Sequence, residues 1–399
     1  MSTQRWLPVL LITFFIGLVL RSPYLTAFPV VLSIVIGLAG WWQRHSLDGV
    51  QYRRRFPYSR GYPDETLPVQ IEVENRKYLP LTWLHVQDPW PLAIGPADES
   101  EMAPSHLPDQ GSLVHVFSLR WFERARRYYT LLLRKRGIYQ VGPALAQSGD
   151  AFGLYERAGR VGQKDQIIVF PRLLGQIGER LPPVNPLGDQ RSRRRLLEDP
   201  QTPIGVREYL PEDSFRQVHW PATARTGQLQ VKVYQPTCAE VFVVCLNVAT
   251  YHRHWEGYYP ALFEYMLSLT ATTLSQAFER GNRVGLISNG CLMEADQPFN
   301  IPPGRSPEQL SKLLIALAGA TPVAAVGFEK FLLREIPRVP YGSSLLVLTA
   351  IVSQELAETL LTLKRHERKL TLLSLAEEPP PFIPGITSIH SPFRETNGQ

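Results

Sequence analysis

The residues best suited to chemistry lie close together, between positions 205 and 232. They are Gly205, Arg207, Glu208, Tyr209, Asp213, Arg216, His219, Trp220, Arg225 and Lys232. Carboxylates, guanidinium groups and one imidazole at this density could form an acid–base site, with Glu208, Asp213 and His219 moving protons. The same set suits a partly buried ion-pair and hydrogen-bond network, because structural networks gather the same side chains as active sites do. We read it as a network that locks a connector onto the domain that follows. Asp213 is placed to cap a short helix carrying Arg216 and His219 on one side.

Elsewhere the chemistry thins out. His252 and His254, two apart in a loop and without a third placed ligand, do not make a metal site. Cys245 falls inside the apolar run Val241–Val248 and reads as a small core residue, while Cys238 and Cys291 lack a His or Asp partner nearby. No Walker A, G-x-S-x-G or H-E-x-x-H string occurs. Arg supplies 34 of the 42 basic residues, with a cluster at Arg120, Arg124, Arg126, Arg127, Arg134, Lys135 and Arg136. Its bidentate fork suits a partner protein or anionic lipid heads, though on strands such residues more often form the solvated face.

The framework follows from length and patterning. With 399 residues, 44% hydrophobic and 20% charged, the chain can build two or three domains with real cores. Three Cys are too few for a disulfide framework and fit a reducing compartment. The mean hydropathy of −0.12 averages over a very apolar start. Trp6 to Leu20 gives fifteen uncharged residues, and Tyr24 to Trp42 gives nineteen more after Arg21-Ser22-Pro23. This predicts a transmembrane hairpin over residues 1–45, with Trp6, Trp41 and Trp42 at the interfaces. A cleaved signal peptide fits less well, since no small-x-small site follows Leu20. Arg44, Arg53, Arg54, Arg55 and Arg60 follow the second stretch, which predicts a multi-pass inner-membrane protein with its soluble part in the cytoplasm. The Arg53–Arg55 triplet is thereby topological and not a nucleic-acid site.

Residues 55–172 read as an antiparallel β-sandwich. Leu67, Val69, Ile71 and Val73 alternate with polar positions, and further strands are expected at Leu81–Val86, Val114–Leu119, Tyr128–Leu133 and Ile167–Phe170. Pro89–Gln110 reads as loop. A polar connector spans 173–235. Residues 236–380 then alternate strands and helices, as in a doubly wound α/β sheet. Pro260–Arg280 is an amphipathic helix stopped by Gly281, and Ser306-Pro307-Glu308-Gln309 carries the signals of a capping box. The Pro-rich 379–384 segment ends the domain, leaving 381–399 as a loose tail.

The 205–232 segment resembles the signature of the bacterial membrane-protein family known as domain of unknown function 58. That pattern runs G-x-R-E-Y-x-x-G-D-x-x-R-x-I-H-W-x-x-S-A-R-x-x-x-L-x-V-K. Gly205, Arg207, Glu208, Tyr209, Asp213, Arg216, His219, Trp220, Ala224, Arg225, Leu229, Val231 and Lys232 fall on it, whereas Glu212 and Thr223 depart from its Gly and Ser. Arg136-Gly137-x-Tyr139-x-x-Gly142-Pro143, Asp150-x-Phe152-Gly153-Leu154 and Ile168-Val169-Phe170-Pro171 are similar to the family too. The resemblance implies a von Willebrand A-like domain after the connector. It also implies a membrane accessory role beside a MoxR-type AAA+ ATPase. Such domains often bind Mg²⁺ through D-x-S-x-S at the end of the first strand. Here Asn247, Ala249 and Tyr251 take those places, so the site reads as degenerate. The expectation is a membrane-anchored multidomain scaffold without cofactor or nucleic-acid partner. The alternatives are a cell-envelope hydrolase or transferase using Glu208, Asp213 and His219, or a Mg²⁺-dependent adhesion domain.

Overall fold

An uncharged N-terminus without a polar face forms helices. α1 (Leu7–Val19) and α2 (Pro23–His45) are joined by a turn in which Arg21 adopts a left-handed φ of 52°. Gly17 allows the start of α2 to come close, since a Cβ there would stand 2.6 Å from the Leu25 carbonyl carbon. At about 1.5 Å per residue, α2 reaches roughly 35 Å and α1 roughly 20 Å, against a hydrocarbon core of about 30 Å. Among the described residues, α2 is the one helix long and apolar enough to cross a membrane. The stretch expected as a first span, Trp6–Leu20, is helical at Leu7–Val19 among the described residues.

The computed structural model describes residues 7–175, 203–210, 215, 218–234, 241–251, 257–293 and 295–394. The chain divides into two units, Met1–Arg172 and Leu173–Gln399. After its helices the first unit is almost entirely β: β1 (Val50–Arg55), β2 (Arg60–Gly61), β3 (Thr66–Asn75), β4 (Leu81–Pro91), β5 (Met102–Pro104), β6 (Gln110–Leu119), β7 (Arg124–Leu132), β8 (Gly137–Val141), β9 (Ala144–Gly149), β10 (Glu156–Val161) and β11 (Asp165–Val169). They form sheets of order β1-β3-β7, β10-β9-β4-β6-β5 and β2-β11-β8. Alternate residues of β3 (Leu67, Val69, Ile71, Val73) meet Leu84, Val86 and Trp90 of β4 and Leu113, Phe117 and Leu119 of β6 in one core. β4 runs through Pro89 and Pro91, where a loop was expected. A proline is tolerated there because β9 pairs only with Leu84–Gln87, so no ladder donor is missed on that side.

The core contains a charge. Asp88 and Arg54 both point inward and both are buried. Arg54 donates to the Asp88 carboxylate from Nε at 2.8 Å and Nη2 at 2.5 Å, and Nη1 reaches Asp165 at 2.9 Å. The Tyr52 hydroxyl and Trp90 Nε1 donate to the same carboxylate at 2.7 and 3.0 Å. Burial, then the Asp88 charge, pushes the Tyr52 hydroxyl far above its ordinary pKa. Arg54 therefore belongs to the interior and cannot act as a topological surface cation, which corrects the reading of the Arg53–Arg55 triplet. Gly142, at φ 85°, packs on this guanidinium: a Cβ would lie 2.5 Å from Nη2.

The second unit opens with β12 (Pro203–Glu208), α3 (Trp220–Thr226) and β13 (Gln230–Tyr234). Its main sheet contains β14 (Val241–Leu246), β15 (Arg283–Leu292), β16 (Ala295–Gly304), β17 (Ala320–Ala324), β18 (Ser344–Thr349), β19 (Lys369–Ser374) and β20 (Thr387–His390). The order is β16-β15-β14-β18-β19-β20, with β17 also pairing β15. β15, β14, β18, β19 and β20 run parallel, while β16 is antiparallel. α4 (Pro260–Glu279) lies against β14, β15 and β18, and α5 (Pro307–Gly319) against β15. α6 (Phe328–Glu335) and α7 (Gln354–Arg365) share a core with Val243, Cys245, Leu345 and Val347. β20 lies beyond the Pro-rich segment, so the tail expected from residue 381 is corrected to a sheet strand. α5 starts as Ser306-Pro307-Glu308-Gln309 predicts, with Ser306 at the N-cap, but without a side-chain cap bond: Gln309 is buried and donates to the carbonyls of Val284 and Pro302, at 3.0 and 2.9 Å.

Two outcomes are expected. Asp88→Ala strands four buried donor atoms on three side chains and should cost about 3–5 kcal/mol, read as lost hydrogen-exchange protection on β1 and β4 of the full chain, whereas Arg54→Met with Asp88→Leu, which removes the unpaired charge, should restore part of it. Burial lowers the pKa of His115. The unfolded chain, with an ordinary imidazole near about 6.5, then binds more protons than the folded one, so stability should fall as pH drops below that value. His115→Phe should flatten that dependence in the same exchange measurement.

Candidate functional site

The signature segment folds as a hairpin closed by a short helix. β12 and β13 pair antiparallel, setting Gly205 opposite Val233, Arg207 opposite Val231 and Glu208 opposite Gln230. His219 does not ride on the helix face as expected; it caps α3, its Nδ1 accepting from the Ala222 amide at 3.0 Å. The His219 amide donates to the Gln230 carbonyl at 2.7 Å. Thr223 Oγ1 donates to the His219 carbonyl at 3.1 Å and accepts from the Gln230 amide at 3.0 Å, fastening helix to strand. A serine hydroxyl could make the same two bonds, so the departure from the family pattern at Thr223 is chemically silent. Gly227, at φ 72°, ends the helix in the left-handed conformation that glycine accommodates.

This arrangement commits the imidazole to backbone. An accepting Nδ1 is unprotonated, so the nitrogen facing the helix cannot act as an acid while it caps. Glu208, Trp220 and Arg225 are exposed, and Arg207, Tyr209, His219 and Lys232 are half-buried. Arg207 Nη1 donates to the Glu208 carbonyl at 3.0 Å, and the Tyr209 ring stands 5.4 Å from that of Phe215. Asp213, Arg216, Glu212, His252, His254 and Cys238 lie outside the described residues.

A second constellation sits at the carboxyl end of β14, where connections leave the sheet in opposite directions; open α/β sheets bind ligands at that point. Asn247, Asn289 and Thr349 are buried there. Asn247 Nδ2 donates to Thr349 Oγ1 at 3.1 Å, and Asn289 Nδ2 donates to Asn247 Oδ1 at 3.0 Å. The Ala249 amide reaches the same Asn247 oxygen at 3.2 Å, while the Val248 amide reaches Asn289 Oδ1 at 3.0 Å. Tyr251 is exposed, and Thr250 Oγ1 accepts from the Tyr259 amide at 2.9 Å. A hard dication needs carboxylate and free oxygen ligands. The Asn247 oxygen already accepts twice, and no cluster of His, Cys, Asp and Glu suited to a metal exists among the described residues. These side chains do not fit Mg²⁺. Asn289 and Thr349 went unnoticed in the sequence, although Ser288-Asn289-Gly290 is a polar interruption within the long strand β15.

The remaining candidates have internal duties. Glu72 is buried beneath Arg55, Arg124 and Arg126, at 3.2, 3.5 and 3.1 Å. Glu74 pairs with Arg124 and Arg76, both at 2.9 Å. Arg134 donates to the carbonyls of Leu92, Gly95 and Pro96. Three of the seven cluster residues, Arg124, Arg126 and Arg134, are therefore spent on a cross-strand ladder and a loop clamp. Cys245 is fully buried, and burial pushes its thiol up to about 12. Asp150 is buried and accepts from the amides of Phe152 and Tyr155, at 2.8 and 2.6 Å, which explains the Asp150-x-Phe152-Gly153-Leu154 string as a closed turn.

His219→Ala should destabilise the hairpin by about 1 kcal/mol, and His219→Asn should retain most of that, since asparagine caps as well. Exchange protection of the Ala222 and Gln230 amides is the measurement.

Comparison with known proteins adds little to the geometry. The CARDB domain of a Pyrococcus furiosus protein matches at 10% identity over 30% of this chain and 91% of its own, with a TM-score of 0.20. The Bacillus subtilis sporulation control protein Spo0M matches at 12% identity over 30% and 49%, with a TM-score of 0.19. Scores this low support no conclusion. The uncharacterised protein YeaD of Bacillus subtilis (strain 168) is 24% identical over 271 residues, which span 65% of this chain and 63% of the relative. Residues 205–375, from the first glycine of the capped hairpin to the residue after β19, match the family described as protein of unknown function DUF58.

Proposed function

We propose that this chain is a non-enzymatic scaffold or assembly factor of the inner membrane. Its helices anchor it as a multi-pass protein with both units in the cytoplasm, and its second unit is a von Willebrand A-like module that engages a MoxR-type AAA+ ATPase. Support for the anchor comes from α2, with Arg44, Arg53, Arg55 and Arg60 remaining as flanking cations that favour the cytoplasmic side. The doubly wound strand order accords with the von Willebrand A-like reading.

The observation that carries the proposal is the neutral, self-satisfied network at the strand ends. Asn247, Asn289 and Thr349 hold one another and the adjoining backbone, fixing the loop that presents Tyr251. Strand-end backbone held in this way, with an exposed aromatic beside it, suits contact with another protein, and nothing in that network holds a proton to transfer. The acid–base alternative has less behind it, because His219 is occupied as a cap and Glu208 is exposed.

Crosslinked affinity recovery from native membranes is the test. The full chain should recover a MoxR-type ATPase, and Tyr251→Asp should lower that recovery about tenfold or more, as expected for loss of an interface hot spot worth some 1.4 kcal/mol or above. Equal recovery with both chains, or a substrate turned over by the full chain and spared by Glu208→Gln, would sink the proposal in favour of another partner surface or another catalytic set.

A further inference from the structure

Where α2 ends, the first unit presents a ring of exposed apolar side chains. Three loops surround the exit. Lys77, in the β3–β4 loop, donates from Nζ to the His45 carbonyl at 2.6 Å and also to that of Ser46, at the helix C-terminus where a cation is favoured. The β6–β7 turn lies beside it: Asn75 Nδ2 donates to the carbonyls of Leu79 at 3.0 Å and Arg120 at 2.9 Å, tying the two loops together. The β9–β10 loop completes the ring, since the first residues of β10 that follow it hold the helix end: Gln43 Nε2 donates to the Glu156 carbonyl at 2.7 Å and Arg157 binds the Arg44 carbonyl.

Each loop turns large apolar groups outward. Tyr78 is 83% exposed, Trp121 64%, Phe122 55%, Phe152 60% and Leu154 51%. The backbone enforces this display. Phe122 adopts a left-handed φ of 54°, which is uncommon for an aromatic residue, and its ring meets Tyr78 edge-on with centroids 4.8 Å apart. Asp150 closes the third loop from within, and Gly153, at φ 70°, supplies the turn between Phe152 and Leu154. Rigid loops that expose Trp, Tyr and Phe, set around the end of a membrane-length helix, have the composition of the headgroup zone.

The geometry points to a lipid-interface collar: Tyr78, Trp121, Phe122, Phe152 and Leu154 lie in the headgroup region of the bilayer that α2 enters, seating the β unit flush on the membrane. This rests on the membrane reading of α2 given above. It assigns the Asp150-x-Phe152-Gly153-Leu154 string a role in lipid contact that its fold alone does not require.

The full chain, with Cys238, Cys245 and Cys291 replaced by serine, would be reconstituted in phosphatidylcholine–phosphatidylglycerol vesicles. Single nitroxide labels would be placed at Phe122→Cys, Phe152→Cys, Leu107→Cys and Ile34→Cys. Leu107 is exposed in the loop before β6, at the opposite end of the β4–β6 pair, and Ile34 lies midway along α2. Spin-label accessibility to oxygen and to a water-soluble nickel chelate reports depth. The expected oxygen-to-nickel ratio is highest at position 34, severalfold above the Leu107 value at 122 and 152, and lowest at 107. Ratios at 122 and 152 equal to that at 107, with 34 in lipid, overturn the collar and leave the anchor standing. A water-exposed label at 34 overturns both.

Discussion

The first unit is organised around one carboxylate. Asp88 sits in the inward row of β4, where Leu84, Val86 and Trp90 are its apolar neighbours, and burying it unpaired would cost several kcal/mol. It is tolerated because Arg54, Tyr52 and Trp90 all donate to it. Arg54 and Tyr52 come from β1, Asp88 and Trp90 from β4, and Asp165, the second partner of Arg54, from β11. Each of these strands belongs to a different sheet, so the charge pair fixes how the sheets meet. It also fixes the register of β1, the strand that follows α2, and thereby where the helix stands relative to the loops around its exit.

The same economy governs the arginines of the first unit's strands. A net +6 suggests a surface that seeks anions. In the fold, Arg54 is internal, Arg55, Arg124 and Arg126 converge on Glu72, and Arg76 joins Arg124 on Glu74. Opposite charges alternate across β1, β3 and β7, with Arg53 and Arg126 flanking Glu72 in register. Cross-strand pairs of this kind stabilise a sheet modestly and also neutralise its outer face. The second unit takes another course: at its sheet's switch point the buried polar groups are amides and a hydroxyl, which satisfy one another without a counter-ion.

How legible was this in the sequence? The period-two strand β3 and the apolar run of β14 were plain, because there burial alone dictates residue type. β1 was hidden, since its inward positions are Tyr52 and Arg54 and its outward ones are also Arg, so polarity does not alternate. β16 was hidden by Pro298, Pro302 and Pro303, which an edge strand accepts because one side of its ladder needs no donors. β20 lay behind a Pro-rich stretch, and α6 is too short at eight residues for a period to stand out. At the candidate site, the hairpin residues were recognisable as a group but not in their roles. Cap preferences favour Ser, Thr, Asp and Asn, so a capping histidine has no compositional signal.

That last case bears on how such polar strings should be interpreted. A carboxylate, a guanidinium and an imidazole within a few turns of chain look catalytic because each can transfer or stabilise charge. What decides between chemistry and architecture is where their atoms are spent. In this hairpin His219 Nδ1 is spent on the Ala222 amide, Thr223 Oγ1 on two backbone groups, and an Arg207 nitrogen on the Glu208 carbonyl. A side chain that satisfies an orphan backbone group at a helix end cannot leave it without exposing that group, so each bond made to the main chain withdraws an atom from the set available for proton transfer. By that measure His219 and Thr223, among the described residues between β12 and β13, are spent on closing the hairpin. The Trp220 and Arg225 side chains stand outside that set of bonds and are exposed.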